Sequence, residues 1–198
     1  MLIEGKGLAA PAPITITLSR TDLRLLASKA AERDRFRRYT TRRDVWGKGM
    51  TANPILKGMV GEHAMCVYLS RNGLRLFADL SLRERGDGGC DVLAAGLVLQ
   101  VKTMSPRNYR QLLIRRVDSQ KRLRGLECDA FVLAHWPGKL DVHLLGWIWA
   151  GRASEVGRLR LSPINGAGHW NLVVPDKALF PLPDLRTEID LRHEAATA

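Results

Sequence analysis

GDGGCDVLAAGLVLQVKT, Gly86 to Thr103, is the stretch that organises this chain. It reads as two short strands joined by a tight turn, the first carrying Asp91 and the second Gln100 and Lys102. Strand side chains alternate between faces, so Gln100 and Lys102 point the same way. With Ala95-Gly96 as a two-residue hairpin loop, Ala94 pairs with Leu97 and the ladder brings Asp91 opposite Gln100. Directly opposed residues share a face, with Cβ atoms roughly 5 Å apart. A carboxylate, an amide oxygen and an ammonium then converge on one patch. A three-residue loop would shift the register by one and send Asp91 to the other face.

Upstream, apolar residues Leu56, Met59, Val60, Ala64, Val67 and Tyr68 recur at helical spacing. They predict a helix over about Ile55–Arg71, stopped by Asn72-Gly73. Glu62 breaks that pattern. Its neighbours three and four residues away are Gly58, Met65 and Cys66, so a carboxylate sits among small and apolar groups. Gly58 and Gly61 each cost the helix up to about 1 kcal/mol relative to Ala. Their presence beside Glu62 suggests close approach to a neighbouring element. His63 reads as a packing or surface residue.

Before this helix, residues 1–13 read as a loose arm and Ile14–Ser19 as a short strand. Ser19 or Thr21 then opens a helix with Asp22 in its first turn and an apolar stripe of Leu23, Leu26, Ala27 and Ala30. The later part is rich in arginine, including Arg37, Arg38, Arg42 and Arg43, with Phe36 and Tyr39 interleaved. Basic residues with aromatics suit phosphate contacts and stacking. Val45–Pro54 reads as a loop.

Downstream, Leu74–Ala78 reads as a strand ahead of a connector over Leu80–Arg85. After Lys102, Ser105-Pro106 fits a helix start, while Gln111–Arg116 fits an extra strand before a helix at Asp118–Leu126; the second reading is favoured. Arg107, Arg110, Arg115, Arg116, Lys121 and Arg122 form a second basic cluster here. Asp129–Trp136 is a buried strand, turned by Pro137-Gly138 into Val142–Ala150. His135 and His143 are placed near opposite ends of that hairpin. Beyond Gly151, prolines at 163, 175, 181 and 183 suggest a strand-poor tail wrapped on the core and frayed past Arg192.

The 198 residues suit one domain, and 45% apolar composition is ordinary for a globular protein. A net charge of +11 is not, and it favours a polyanionic partner such as nucleic acid or an anionic membrane surface. Cys66, Cys90 and Cys128 have no zinc-like spacing and suit a reducing, cytoplasmic setting. No stretch approaches the roughly 20 apolar residues of a membrane span.

Glu62, Asp91, Gln100 and the main-chain carbonyl of Val101 are oxygen donors of the kind hard divalent ions take. Lys102 could position an attacking water and stabilise a pentavalent phosphate. A helical GlyGlu, a strand Asp and then QxK on the adjoining strand resembles the PD-(D/E)XK nuclease superfamily. GDGGCDV…LQVK is similar to the Mrr-like restriction endonucleases, and archaeal-type Holliday junction resolvases share the arrangement. The resemblance implies an α/β fold with a restriction-endonuclease-like core, αβββαβ, its mixed central sheet flanked by helices. It implies Mg²⁺-dependent DNA phosphodiester hydrolysis, with Mn²⁺ as a substitute, and Glu62, Asp91, Gln100 and Lys102 as functional positions. It covers roughly Leu56–Ala150. The corresponding division is an N-terminal arm, basic helix and loop (1–54), the nuclease-like core (55–150) and an irregular C-terminal extension (151–198), all in one structural domain. Cutting both strands of DNA commonly takes two sites, hence a homodimer. Gln100 in place of a carboxylate removes one negative charge.

Overall fold

The computed structural model describes residues 9–38, 54–74, 76–77, 91–104, 110–115, 117–123, 128–164 and 167–197. Its main sheet has six strands: β1 (Ile14–Thr17), β2 (Leu76–Phe77), β3 (Val92–Ala94), β4 (Leu97–Met104), β6 (Ala130–His135) and β7 (Asp141–Trp149). Their spatial order is β1-β7-β6-β4-β3-β2. All neighbours are antiparallel except β4 and β6, so the sheet is mixed. Helices α1 (Arg20–Arg38), α2 (Pro54–Arg71) and α4 (Leu182–Thr197) contribute to the core on one face, where Leu26, Met59, Val60, Ala64, Leu185 and Ile189 meet Leu97, Leu99, Val132 and Leu144. An α/β architecture of mixed sheet and flanking helices is therefore present.

The central hairpin has the expected two-residue loop. Ala94 pairs with Leu97 and Val92 with Leu99. Ala95 and Gly96 both take positive φ, 45° and 81°, the signature of the type I′ turn whose twist suits two-residue hairpins. Glycine adopts this at no steric cost; alanine does not.

Local chemistry explains the helices. Ser19 caps α1 reciprocally with Asp22: the Asp22 amide donates to Ser19 Oγ at 3.0 Å, and the Ser19 amide to Asp22 Oδ2 at 3.0 Å. Helix α2 opens on Pro54 and closes at Gly73, which has φ 77°. The predicted stripes of both helices face the core. Gly61 lies directly against Thr103 and Ala134, where a Cβ would overlap the Thr103 hydroxyl. The close approach expected of this helix is thus made by Gly61, onto β4 and β6. His63 packs toward α1, 3.8 Å from Asp22.

A second, three-stranded sheet covers the other face, in the order β5-β9-β8 with β5 (Gln111–Ile114), β8 (Arg158–Ile164) and β9 (Ala167–Pro175). Leu112, Ile114, Leu172 and Val174 from it pack on Phe131, Leu133 and Ile148 of the main sheet. This corrects the expectation of an irregular extension. Residues 151–198 contain α3 (Ala150–Val156) running into them, the β8–β9 hairpin, a short 3-10 turn (Asp176–Ala178) and α4, which continues past Arg192 to Thr197. The prolines misled because each sits where it does little harm. Pro163 is on the edge strand β8, Pro175 ends β9, and Pro181 and Pro183 flank the start of α4.

Two further expectations are corrected. Residues Asp118–Leu123 do not begin a helix: Val117 and Leu123 form a β-bridge around a tight loop. Asp118 directs it, its Oδ1 accepting from the amides of Gln120 and Arg122 at 2.9 Å each, while Arg122 Nε donates to Oδ2 at 2.7 Å. An aspartate bonded to its own following amides competes with helix formation. The crossover from β4 to β6 therefore passes through β5, and among the described residues no crossover helix completes αβββαβ. His135 and His143 are also not at opposite ends of their hairpin. They are direct partners across β6 and β7, with ring centroids 5.7 Å apart.

Strand β7 changes face partway. Its register with β6 slips between Leu133 and Ala134, leaving an extra residue near Leu145. Gly146, with φ 149°, lies 2.7 Å (from an ideal Cβ) from the Phe180 carbonyl, so only glycine fits. Trp147 then exchanges two backbone hydrogen bonds with Phe180, at 3.0 and 2.7 Å.

Two substitutions test these contacts. Gly61→Ala should destabilise the fold by about 1–3 kcal/mol through overpacking, measured by urea unfolding, and adding Thr103→Ala should recover part of the loss. Ala95→Asn, creating the preferred Asn-Gly turn, should stabilise by roughly 0.5–1 kcal/mol.

Candidate functional site

Strand β3 ends at Val92, whereas β4 continues to Met104. Past this point β4 has no antiparallel partner among the described residues, and Asp91 takes over. The Asp91 amide donates to the Leu99 carbonyl at 3.1 Å. Its carboxylate Oδ2 accepts from the Val101 amide at 2.7 Å. The ladder pairs Val92 with Leu99, and because the Asp91 amide bonds the carbonyl of the same Leu99, Asp91 departs from the simple register that would set it opposite Gln100; its carboxylate is held at the backbone between Gln100 and Lys102. The N–H and C=O of one strand residue point to the same side, so the Val101 carbonyl also faces the side that β3 vacates.

Gln100 and Lys102 share the face of β4 turned away from α2, since Leu99, Val101 and Thr103 occupy the helix-facing positions. Gln100 is registered with Phe131 and Lys102 with Leu133 on β6. Gln100 is only 4% exposed, and among the described residues its Oε1 accepts no hydrogen bond. A buried carbonyl oxygen without a donor is costly unless another ligand engages it. Lys102 is half-buried.

Glu62, also half-buried, lies on the flank of α2 with Gly58 and Cys66 one turn to either side. Cys66 reports where the two carboxylates lie. Burial pushes its thiol up to about 11, and the negative charges of Glu62 and Asp91 both push in the same direction. A helical glutamate and a strand aspartate, separated by 29 positions, thus act on one thiol. Cys66 was visible in the sequence as a neighbour of Glu62, but nothing there tied it to Asp91.

As a metal centre the set is lean. Among the described residues no three His, Cys, Asp or Glu side chains come together to hold an ion. Asp91 and the Val101 carbonyl lie together where β3 begins, whereas Gln100 is on the face of β4 turned away from α2, the helix that carries Glu62, so the four oxygen donors of the sequence reading do not all share one face of β4. Asp87, the other aspartate of the Gly86–Thr103 stretch, lies outside the described residues.

The basic residues are less uniform than the sequence suggested. Arg37 and Arg38 belong to the last turn of α1, with side chains outside the described set, as are Arg42, Arg43, Arg107 and Arg116 entirely. Arg110 stands 3.7 Å from Asp176, and Arg122 is held by Asp118. Lys121 occupies a left-handed position, φ 63°, in the Asp118 loop. Arg115 is exposed just after β5. It also acts on Lys57, a residue that sequence reasoning passed over. Burial, and then the Arg115 guanidinium, hold the Lys57 ammonium below the ordinary lysine range. Lys57 precedes Glu62 on α2 by five residues, about 7.5 Å along the helix.

Comparison with protein-family models, curated proteins and solved structures finds no match. Among the described residues, no helix is long and apolar enough to cross a membrane.

The shared influence on Cys66 is directly measurable. In a C90S/C128S background, Glu62→Gln and Asp91→Asn should each lower the Cys66 pKa, because each removes a negative charge that disfavours the thiolate. Iodoacetamide alkylation at about pH 9 should accelerate several-fold in each variant, given that one pKa unit corresponds to tenfold in thiolate well below the pKa. Unchanged rates would mean that the two carboxylates do not face this thiol.

Proposed function

We propose that this chain is a metal-dependent DNA endonuclease of restriction, repair or mobile-element type, acting as a homodimer. The observation that carries the reading is the Asp91 carboxylate held on the Val101 amide, between Gln100 and Lys102, with Glu62 acting on the same neighbouring thiol. Asp91, the Gln100 amide oxygen and the Val101 carbonyl would hold Mg²⁺, or Mn²⁺ in its place, and Glu62 would orient a water beside it. When bound, such an ion supplies Lewis-acid stabilisation of the phosphate and lowers the pKa of a coordinated water. Lys102, on the face of Gln100, positions the attacking water and balances the charge that develops on the phosphate oxygens. The net charge of +11 supports a polyanionic substrate.

A second reading is a non-catalytic DNA-binding module. Gln100 favours it, because the amide leaves two carboxylates where a third would strengthen metal binding.

Cleavage of plasmid, linear, single-stranded and branched DNA with Mg²⁺ or Mn²⁺ decides between them. Asp91→Ala or Lys102→Ala should lower the rate by at least about 10²-fold, with DNA affinity largely kept. Gln100→Glu should reduce the Mg²⁺ concentration needed for half-maximal cleavage. No cleavage of any substrate by the wild-type protein would sink the enzymatic reading and leave the binding module.

A further inference from the structure

The second sheet has an inner face that is wholly apolar and an outer face that is not. Leu112, Ile114, Leu172 and Val174 point inward and are fully buried. Alternation sends Leu113, Val173, Asn171, Arg158 and Arg160 to the other side, where Arg158 and Arg160 are exposed, Leu113 and Val173 half-buried and Asn171 buried. The register ranks them across three strands: Leu113, Val173 and Arg158 in one row, then Asn171 and Arg160 in the next. Arg115, one step beyond β5, comes level with Asn171. Two strand spacings, about 10 Å, therefore separate the backbones of Arg115 and Arg160.

Three features distinguish this face. Arg115, Arg158 and Arg160 are exposed, and none is joined to a carboxylate among the described residues. Elsewhere Arg110, Arg122, Arg152 and Arg186 each stand beside an Asp or Glu. The strands β5, β8 and β9 contain no Asp or Glu at all. Arg115, just past the end of β5, is also near enough to Lys57 of α2 for its charge, after burial, to hold the Lys57 ammonium down.

We propose that the outer face of the β5-β9-β8 sheet docks the phosphate backbone of a nucleic-acid duplex, with Arg158, Arg160 and Arg115 on successive phosphates and Lys57 leading toward Glu62. The proposal rests on the nucleic-acid reading above and adds the surface that carries the substrate. Planar guanidinium groups suit bidentate phosphate contacts. A duplex is favoured over a single strand because no aromatic ring is among the described side chains of this face, and single-strand grooves rely on stacking platforms. Trp170 alternates to the inner side and packs with the buried cluster.

The test is binding of a random-sequence duplex by fluorescence anisotropy in EDTA, titrated across salt concentrations, beside a parallel cleavage assay. R158A/R160A should bind more weakly, and its log Kd against log salt slope should fall by about 2, at roughly 0.9 per lost phosphate contact. R158K/R160K should keep most of the slope. Matching melting temperatures would show that the variants are folded. Wild-type binding that R158A/R160A leaves unchanged would overturn the proposal while leaving the nuclease reading intact. Equal affinity for a single strand, or loss confined to binding of anionic phospholipid vesicles, would overturn it as well. Arginine-dependent duplex binding without cleavage would uphold this surface and remove the nuclease reading.

Discussion

The hydrogen bond from the Val101 amide to the Asp91 carboxylate is the constraint on which the site depends. A strand that outruns its neighbour exposes backbone donors and acceptors that must be satisfied. Here the Asp91 side chain satisfies one of them. The bond fixes Asp91 at the point where β3 and β4 part, and it turns the adjacent carbonyl toward the same opening. Polar chemistry becomes possible beside an apolar sheet because a carboxylate, not a strand, meets the Val101 amide. On either side Val92 and Leu99 are fully buried and inert.

Much of the fold was legible. Ala95-Gly96 set the hairpin register, since only a two-residue loop places Ala94 against Leu97. The unbroken apolar run Ala130–Ala134 announced a strand buried on both faces, and Ser19 with Asp22 announced a cap. What escaped were elements whose local signals conflicted with their setting. Arg122 and Leu123 look helical until Asp118 is seen bonding its own downstream amides. The prolines near β8 and β9 look disruptive until their edge and end positions are known, which is a matter of sheet order. The bulge that brought His135 and His143 together likewise lies in pairing rather than composition.

The site divides in the same way. Gln100 and Lys102 could be placed on one face by counting, whereas the bond of the Asp91 amide to Leu99 lies outside what register alone expresses. Glu62 stood out as a carboxylate among small and apolar neighbours. That Glu62 and Asp91 act on a common group required the packing of α2 against the sheet, which Gly61 permits and no spacing rule expresses. Lys57, Arg158 and Arg160 were unremarkable in a chain with 31 basic residues. They acquire significance from the absence of acidic residues on three strands that are distant in sequence and adjacent in space.

The order of the second sheet has a consequence for the making of the protein. Strand β5 lies between β4 and β6 in the chain, yet its partner β9 follows about sixty residues later. Pairing across such separations is slow because loop closure precedes any gain in contacts. During synthesis β5 emerges with Leu112 and Ile114 unsheltered and stays so until Val174 has left the ribosome. The main sheet has the same feature at its edge, where β1 waits for β7. Neither sheet is therefore complete until β7 and β9 have been made, and nascent copies carry uncovered apolar strands through that interval, when premature association is the main hazard.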